Sequence, residues 1–340
     1  MHQNKTVVLK DGRQLEITLL VYPIEPHERM RLIEFLQQEW ERSDVDWLQS
    51  MRGAYSETLQ TQVVLGLVGG HLVGTASSAF PLERPEVGVI EDVMTCRDFR
   101  GLGIAAILTD HLVQIAWATG CRVVYLGNTP RRFSVYEKIG FERISGAIMR
   151  QPNPSQLDPE RDFYVLGQKT TIRPTSWGDM PGVACLMAQP LEGLVVDFSR
   201  GLISSRYVPP VRCVSNFTVL WYGGQAEGKV VLTLAGDCTH RVLGFASMTP
   251  GPAPLRGHSA VIDAVTHDNY ADALCSLLDK LVVTARQRKI KLLQAYVAMV
   301  DLHKEEHFRT AGFSTTAILP ETIQLDGKML DVRLMQRHLS

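Results

Sequence analysis

Short apolar runs alternate with polar turns through the first 100 residues, and helical spacing appears in two places. Val7 to Leu20 holds two strand-like runs around Asp11-Gly12, a hairpin signal. Met30, Ile33, Leu36 and Trp40 recur at spacings of three and four, which predicts a helix over Glu28 to Trp40. Asp44 to Met51, with Trp47 and Leu48, reads as a second short helix or a loop. Thr61 to Leu67 and His71 to Ser78 read as strands joined at Gly69-Gly70, followed by a turn over Pro81 to Pro85. Val87 to Thr95 is then a central strand. Ile104, Leu108, Leu112 and Ile115 form a stripe that packs a helix on the sheet. Cys121 to Leu126 is a short apolar strand, Pro130 to Ile139 carries a short helix, and Gly140-Phe141 opens another strand. Gln151 to Glu160 is Pro-rich and polar, hence a loop. Arg161 to Gly167 reads as the last strand of a first domain, paired with Ile144 to Met149, so the boundary falls near Gln168.

The second half starts again. Thr171 to Ser176 precedes a helical stripe of Met180, Val183 and Met187, with Thr175 or Ser176 as the N-cap. Asn216–Tyr222, Val230–Leu234, Val242–Met248 and Ala260–Val265 read as strands. A helix over Asp268–Arg286, a strand over Leu292–Val297, a helix over His303–Thr310 and a strand opened by Gly312-Phe313 complete the pattern.

At 340 residues the chain is long enough for two domains. A hydrophobic content of 45% with 21% charged residues fits a globular protein with a substantial core. The net charge of −1 gives no electrostatic case for nucleic acid or an anionic membrane. The first 20 residues carry no apolar leader core and no run of 18 apolar residues occurs, so the expectation is a soluble, cytoplasmic chain. Six scattered cysteines without a Cys-x-x-Cys pair read as reduced thiols. Cys96 stands beside the chemistry discussed next, but lacks a histidine nearby in sequence to make it a nucleophile.

Ile90 to Ala116 organises the first half: a strand, the turn Arg100-Gly101-Leu102-Gly103-Ile104-Ala105, and a helix. Two glycines let the backbone approach a ligand in torsions that other residues resist. A helix beginning there directs free N–H groups and the positive end of its dipole at the turn. Such a turn is an anion site, and with Arg100 beside it a diphosphate is the natural guest. It is neither the dinucleotide fingerprint nor a P-loop, since no Gly-Lys-Ser/Thr follows.

Arg100-x-x-Gly103-x-Ala105 together with Val135-Tyr136-Glu137-Lys138-Ile139-Gly140-Phe141 resembles the GCN5-related N-acetyltransferases, the GNAT family, over about residues 60–150. Gly88–Val93 and Val135–Phe141 also resemble the glucosamine-phosphate N-acetyltransferase branch. The acceptor region does not, so that substrate is not carried over. The resemblance implies an α+β fold, each domain a mixed, mostly antiparallel twisted sheet flanked by helices. It implies acetyl-CoA as cosubstrate, with its pantetheine arm between splayed strands matched by Val89–Thr95 and Cys121–Leu126. The backbone of Val93, Met94 and Thr95 then binds pantetheine and polarises the thioester, and Arg100, Gly101, Leu102, Gly103, Ile104 and Ala105 take the pyrophosphate. Asn128 would hold the pantetheine or the adjoining loop, and Arg131-Arg132 could reach the 3′-phosphate. Tyr136 matches the family tyrosine that protonates the leaving thiolate. Glu91 stands where relatives place a general base, with Asp92 or a water chain as alternatives.

The second half reads as a divergent copy. Asp92 falls opposite Asp263, Thr95 opposite Thr266, Phe99 opposite Tyr270, and Tyr136 opposite Phe308. Its turn, Tyr270-Ala271-Asp272-Ala273-Leu274, has no glycine and no arginine and adds an acid. A backbone hydrogen bond to a charged phosphate contributes roughly 1.5–3 kcal/mol, so losing two and adding Asp272 costs about a thousandfold or more in affinity. The expectation is two tandem GNAT domains: residues 1–168 binding acetyl-CoA, and a degenerate 169–340 that does not.

The expected activity is acetyl-CoA-dependent N-acetyl transfer to the primary amine of a small molecule: an amino sugar, an amino acid, or an amine metabolite or antibiotic. No metal is expected, and homodimerisation stays open. The acceptor site would lie over Trp40 to Tyr55, where Glu41, Asp44 and Asp46 suit a cationic amine. The alternative is a non-catalytic acyl-CoA sensor or scaffold, against which the intact Tyr136 and Glu91 weigh.

Overall fold

A computed structural model of the chain describes residues 5–39, 45–127, 132–145, 148–156, 158–189, 228–325 and 327–339. Two compact units emerge: Met1–Pro159 with Ser176–Pro181, and Glu160–Thr175 with Gly182–Ser340.

The first unit is built on an eight-stranded sheet. Its strands are β1 (Lys5–Val8), β2 (Gln14–Val21), β3 (Leu59–Val68), β4 (His71–Pro81), β5 (Val87–Thr95), β6 (Val123–Gly127), β7 (Glu142–Ser145) and β8 (Ile148–Pro152), in the order β1-β2-β3-β4-β5-β6-β8-β7. All neighbours are antiparallel except β5 and β6. That parallel pair needs a crossover, supplied by α3 (Ile104–Ala118). Ile104, Leu108 and Leu112 of the expected stripe are buried on the sheet, joined by Ala116, while Ile115 is half-buried. The opposite face carries α1 (Pro26–Glu39) and α2 (Val45–Met51). There Leu32, Phe35, Leu36 and Met51 pack with Val63, Leu65 and Met94. The stripe of α1 is rotated from the expected one. Leu32 and Phe35 point inward, and Met30 is 62% exposed.

Arg161–Gly167 is not a strand. Pro159–Phe163 forms a short helix, α5, after α4 (Phe133–Glu137). Pro159 at its first position and Glu160 and Asp162 in its first turn are helix-start signals that outweigh the apolar residues. Strand β8 pairs instead with β6 and β7.

The second unit holds β9 (Thr170–Pro174), α6 (Met180–Ala188), β10 (Val230–Gly236), β11 (Val242–Pro250), β12 (Ser259–Thr266), α7 (Ala273–Gln287), β13 (Leu292–Ala298), α8 (Leu302–Thr310), β14 (Ser314–Leu325) and β15 (Lys328–His338). Most of α6 and all of the strands belong to it, in the order β14-β15-β13-β12-β11-β10-β9. Among the described strands only β12 and β13 are parallel, with α7 as the crossover. The fold is therefore α+β, with two mixed, mostly antiparallel sheets in tandem. The expected strand Asn216–Tyr222 lies outside the described residues. No described helix is long and apolar enough to cross a membrane.

Candidate functional site

The site of the first unit begins where β5 and β6 part. Their parallel pairing covers Val87↔Val123 to Ile90↔Leu126, and β5 then continues alone to Thr95. On its other side, β5 pairs with β4 through a bulge: Ser77 faces Glu91 and Thr75 faces Met94. The extra residue is taken up at Asp92, which sits at φ +48°. A non-glycine residue in that region is costly and concentrates at functional sites. The buried Thr75 hydroxyl holds the bulge by donating to the Asp92 carbonyl at 3.1 Å.

The bulge resets which face each side chain takes. Ile90 and Val93 pack toward α3, whereas Met94 joins the α1/α2 face. Register places Glu91 across from Ser77 on that second face. Cys96 also packs there and donates its backbone N–H to Val73.

Beyond β5 the chain makes one short turn over Arg97–Phe99 and enters the glycine turn. Gly101 and Gly103 adopt φ +84° and +89°, and Gly103 is the N-cap of α3. A Cβ built on either would meet nothing within 4 Å. The glycines are therefore required by torsion, and the space over them is open. The turn with the α3 N-terminus makes a concavity of backbone N–H groups suited to an anion. Arg100 Nε donates to the Thr95 carbonyl at 3.2 Å, tying the turn to the end of β5. Ile104 is buried, so only its backbone faces the turn; Leu102 and Ala105 are half-buried.

Tyr136 lies on α4, buried beside Phe133 and edge-on to Phe141 at 6.1 Å. Burial pushes its phenol up to about 12, against a smaller lowering effect of Arg132. It is a protonated donor throughout the neutral range. Asn128, Arg131, Glu41 and Asp44 lie outside the described residues, as does the side chain of Asp46. Tyr55, at the end of the expected acceptor segment, is buried and stacked on Trp177 at 3.7 Å.

Sequence reasoning missed one group. Tyr22, just past β2, is buried on the α1/α2 face and hydrogen-bonded by Ser77. Burial holds its phenol well above the usual tyrosine range, and the Asp92 and Glu91 carboxylates add to this. No local motif marks Tyr22, because its partners come from strands 55 to 70 residues away.

The second unit treats the same positions differently. Strands β11 and β12 pair without a break, Gly244↔Thr266 through Ser247↔Asp263, so there is no bulge. Without the extra residue, Asp263 stands at the register position of Glu91, not of Asp92 as the sequence alignment suggests. Its carboxylate forms an ion pair with Lys304 of α8, both side chains buried. The turn before α7 has Ala271 and Asp272 at φ −54° and −60°, in ordinary helical conformation, with no left-handed concavity. Phe308 fills the position of Tyr136 and packs on Phe313 at 5.2 Å.

The first unit thus combines a mixed sheet that parts at Ile90, a bulged strand and an open glycine turn at the start of α3. The sequence model of the Acetyltransferase (GNAT) family matches residues 29–141, within the first unit. A glucosamine 6-phosphate N-acetyltransferase of Trypanosoma brucei brucei is 36% identical over 76 residues, 21% of this chain and 52% of that protein. The match thus spans about half of the relative's length. Among solved structures, a ribosomal-protein-alanine N-acetyltransferase from Brucella melitensis aligns at 22% identity and TM-score 0.41, over 50% of this chain and 99% of its own. A GNAT superfamily phosphinothricin acetyltransferase from Sinorhizobium meliloti, in complex with acetyl-CoA, aligns at 14% identity and TM-score 0.41, over 50% and 89%.

Proposed function

We propose that the first unit is an acetyl-CoA-dependent N-acetyltransferase acting on the primary amine of a small molecule, and that the second is a degenerate copy without a cofactor site. The observation that carries this reading is the combination, within one unit, of the parting of β5 from β6 at Ile90 and the open glycine turn at Gly101–Gly103. The gap and the turn suit an extended thioester arm ending in a diphosphate.

In this reading Arg100 to Ala105 hold the pyrophosphate, mainly through backbone N–H groups, and Val93 to Thr95 line the arm. Asn128 is kept as a further contact. The substrate amine attacks the acetyl carbonyl, a C–N bond forms and the C–S bond breaks. Glu91 takes a proton from the substrate ammonium before attack, directly or through water, with Asp92 as the alternative acceptor, and the second proton that the nitrogen releases on collapse restores the Tyr136 phenol. Tyr136 gives its proton to the departing thiolate, and the raised phenol keeps that proton available at neutral pH. The named relative makes glucosamine 6-phosphate the first acceptor to try, beside other amino sugars, amino acids and amines.

The test is calorimetry of the full chain with acetyl-CoA, followed by thiol release with a panel of amines. One binding site and release with at least one amine is the expected result. Two sites would overturn the reading of the second unit. One site without release from any amine would point to an acyl-CoA sensor, and no binding would overturn the proposal.

A further inference from the structure

The second sheet has one end away from the Ala271–Asp272 turn, and two of the connections there carry cations and no acids. Between Asp237 and Asp263, and again between Asp279 and Asp301, the sequence has no Asp or Glu. Those stretches supply the β11–β12 connection and the end of α7 with its connection to β13. Arg256, Arg286, Arg288, Lys289 and Lys291 come from them, and all five are exposed. None of the five forms an ion pair with a described acid. Hydrogen bonds gather the two connections. Lys291 donates its backbone N–H to the His258 carbonyl at 2.7 Å, and the Arg256 guanidinium donates to Gln294 on β13 at 3.0 Å. Arg288 donates to the Gly228 carbonyl just ahead of β10. The matching connections of the first unit are balanced: Glu83, Arg84 and Glu86 follow β4, and Arg122 ahead of β6 is paired with Glu86 at 3.7 Å. The net charge of −1 therefore hides a positive face on the second unit.

One apolar side chain stands among these cations. Leu255 is 85% exposed, more than any other large apolar residue described. A lone exposed leucine is ordinary, but an ordered loop holds this one outward. Gly251 N–H donates to the Ser259 carbonyl at 2.8 Å, and Arg256 N–H to the Pro252 carbonyl at 2.9 Å. The Ser259 hydroxyl donates to the Arg256 carbonyl at 2.9 Å. A Cβ on Gly251 would meet that same carbonyl at 2.6 Å, so the loop closes tightly at its base.

We propose that this end of the second unit is a docking face for an anionic lipid surface, with Leu255 entering the headgroup layer and the five cations meeting the lipid phosphates. Each Lys or Arg near an anionic bilayer adds to the attraction, and the leucine gains by leaving water. A bilayer supplies the negative charge and the apolar phase together, without a shaped pocket. Nucleic acid fits less well, because bases stack on aromatic rings and residues 250–259 and 284–292 contain no Phe, Tyr or Trp. The role does not depend on the acetyltransferase reading.

The experiment is sedimentation of the full chain with vesicles of phosphatidylcholine, alone or mixed with phosphatidylglycerol. At about 0.1 M salt, where screening extends over about 10 Å, the chain should sediment with the mixed vesicles and not with phosphatidylcholine alone. At about 1 M salt, where that length falls to about 3 Å, it should stay in solution. Arg286→Gln, Lys289→Gln and Lys291→Gln together should weaken binding by at least about tenfold. Leu255→Ser should weaken it by about fivefold, and its exposed site keeps the test open should the triple variant fail to fold by circular dichroism. No sedimentation with the mixed vesicles, equal sedimentation with phosphatidylcholine alone, full binding by a folded triple variant, or no effect of Leu255→Ser would each overturn the proposal. Tighter binding to an oligonucleotide or to polyglutamate than to the mixed vesicles would also overturn it, and make the face one for a soluble polyanion.

Discussion

Glu91 and Asp263 hold the same place in their two sheets, each paired in register with a serine on the preceding strand, Ser77 and Ser247. Their surroundings differ. Glu91 precedes a bulge with a non-glycine residue at φ +48°, and a buried phenol stands nearby. Asp263 sits in an unbroken ladder, donates nothing, accepts the Ala264 N–H at 2.8 Å, and is paired with the buried Lys304 ammonium. A carboxylate that could serve a proton in one unit is committed to an internal charge in the other.

That commitment predicts an asymmetric response to substitution. Lys304→Met leaves a buried carboxylate without its cation, which typically destabilises by about 3–5 kcal/mol. Pairing it with Asp263→Asn should recover most of the loss, because the uncompensated charge disappears. Thermal and denaturant unfolding of the single and double variants measures this. Equal loss in both would mean that packing, not charge, dominates at this position.

For Tyr136 the sign of the pH effect is fixed by its raised phenol. A group pushed up to about 12 keeps its proton below that pH and releases it only as pH rises through that value. Its contribution to turnover should therefore be flat from about pH 6 to 10, an interval below the ordinary tyrosine value of about 10 and well below its own. Tyr136→Phe should lower kcat by roughly tenfold or more across that range, with acetyl-CoA affinity little changed. Equal kcat in the variant and the parent would remove Tyr136 from the mechanism.

The glycine turn offers a sharper test of where the cofactor sits. Gly103 caps α3 at φ +89° and its missing side chain would project into open space. Gly103→Glu places bulk and negative charge in the concavity and strains the left-handed torsion by about 1–2 kcal/mol. Acetyl-CoA binding by calorimetry should be lost while the protein remains folded by circular dichroism. Retained stoichiometric binding would place the cofactor elsewhere.

Much of this site was legible because its signals are local. Gly101 and Gly103 between a strand and an apolar stripe define the turn, and Val87–Thr95 was delimited by its own apolar run. The bulge was not legible. Asp92 is neither glycine nor asparagine, and its torsion is imposed by pairing with β4 and by the Thr75 hydroxyl, both long-range. Tyr22 was invisible for the same reason. The alignment of Asp92 with Asp263 failed because sequence likeness matched two aspartates across a residue that only one strand contains. The strand expected at Arg161–Gly167 fails for a local reason: Pro159 and the acids of the first turn start a helix that the apolar residues after it do not override.

Thr75 carries the most specific consequence of the bulge. Its side chain is fully buried and its hydroxyl is the donor that meets the Asp92 carbonyl. Thr75→Val keeps the branched shape and removes only that donor, at a cost of about 1–3 kcal/mol for the carbonyl left unsatisfied. With the hold gone, β5 can relax toward the unbroken pairing seen for β12, which turns Val93 and Met94 and displaces Glu91 relative to the gap. Thiol release should then slow by about tenfold, a barrier increase of ~1.4 kcal/mol, while α3 and its glycine turn stay in place and acetyl-CoA binding weakens by less. A rate equal to the parent's, in a variant with the expected loss of stability, would show that the bulge is a structural feature of the sheet and not a determinant of the reaction.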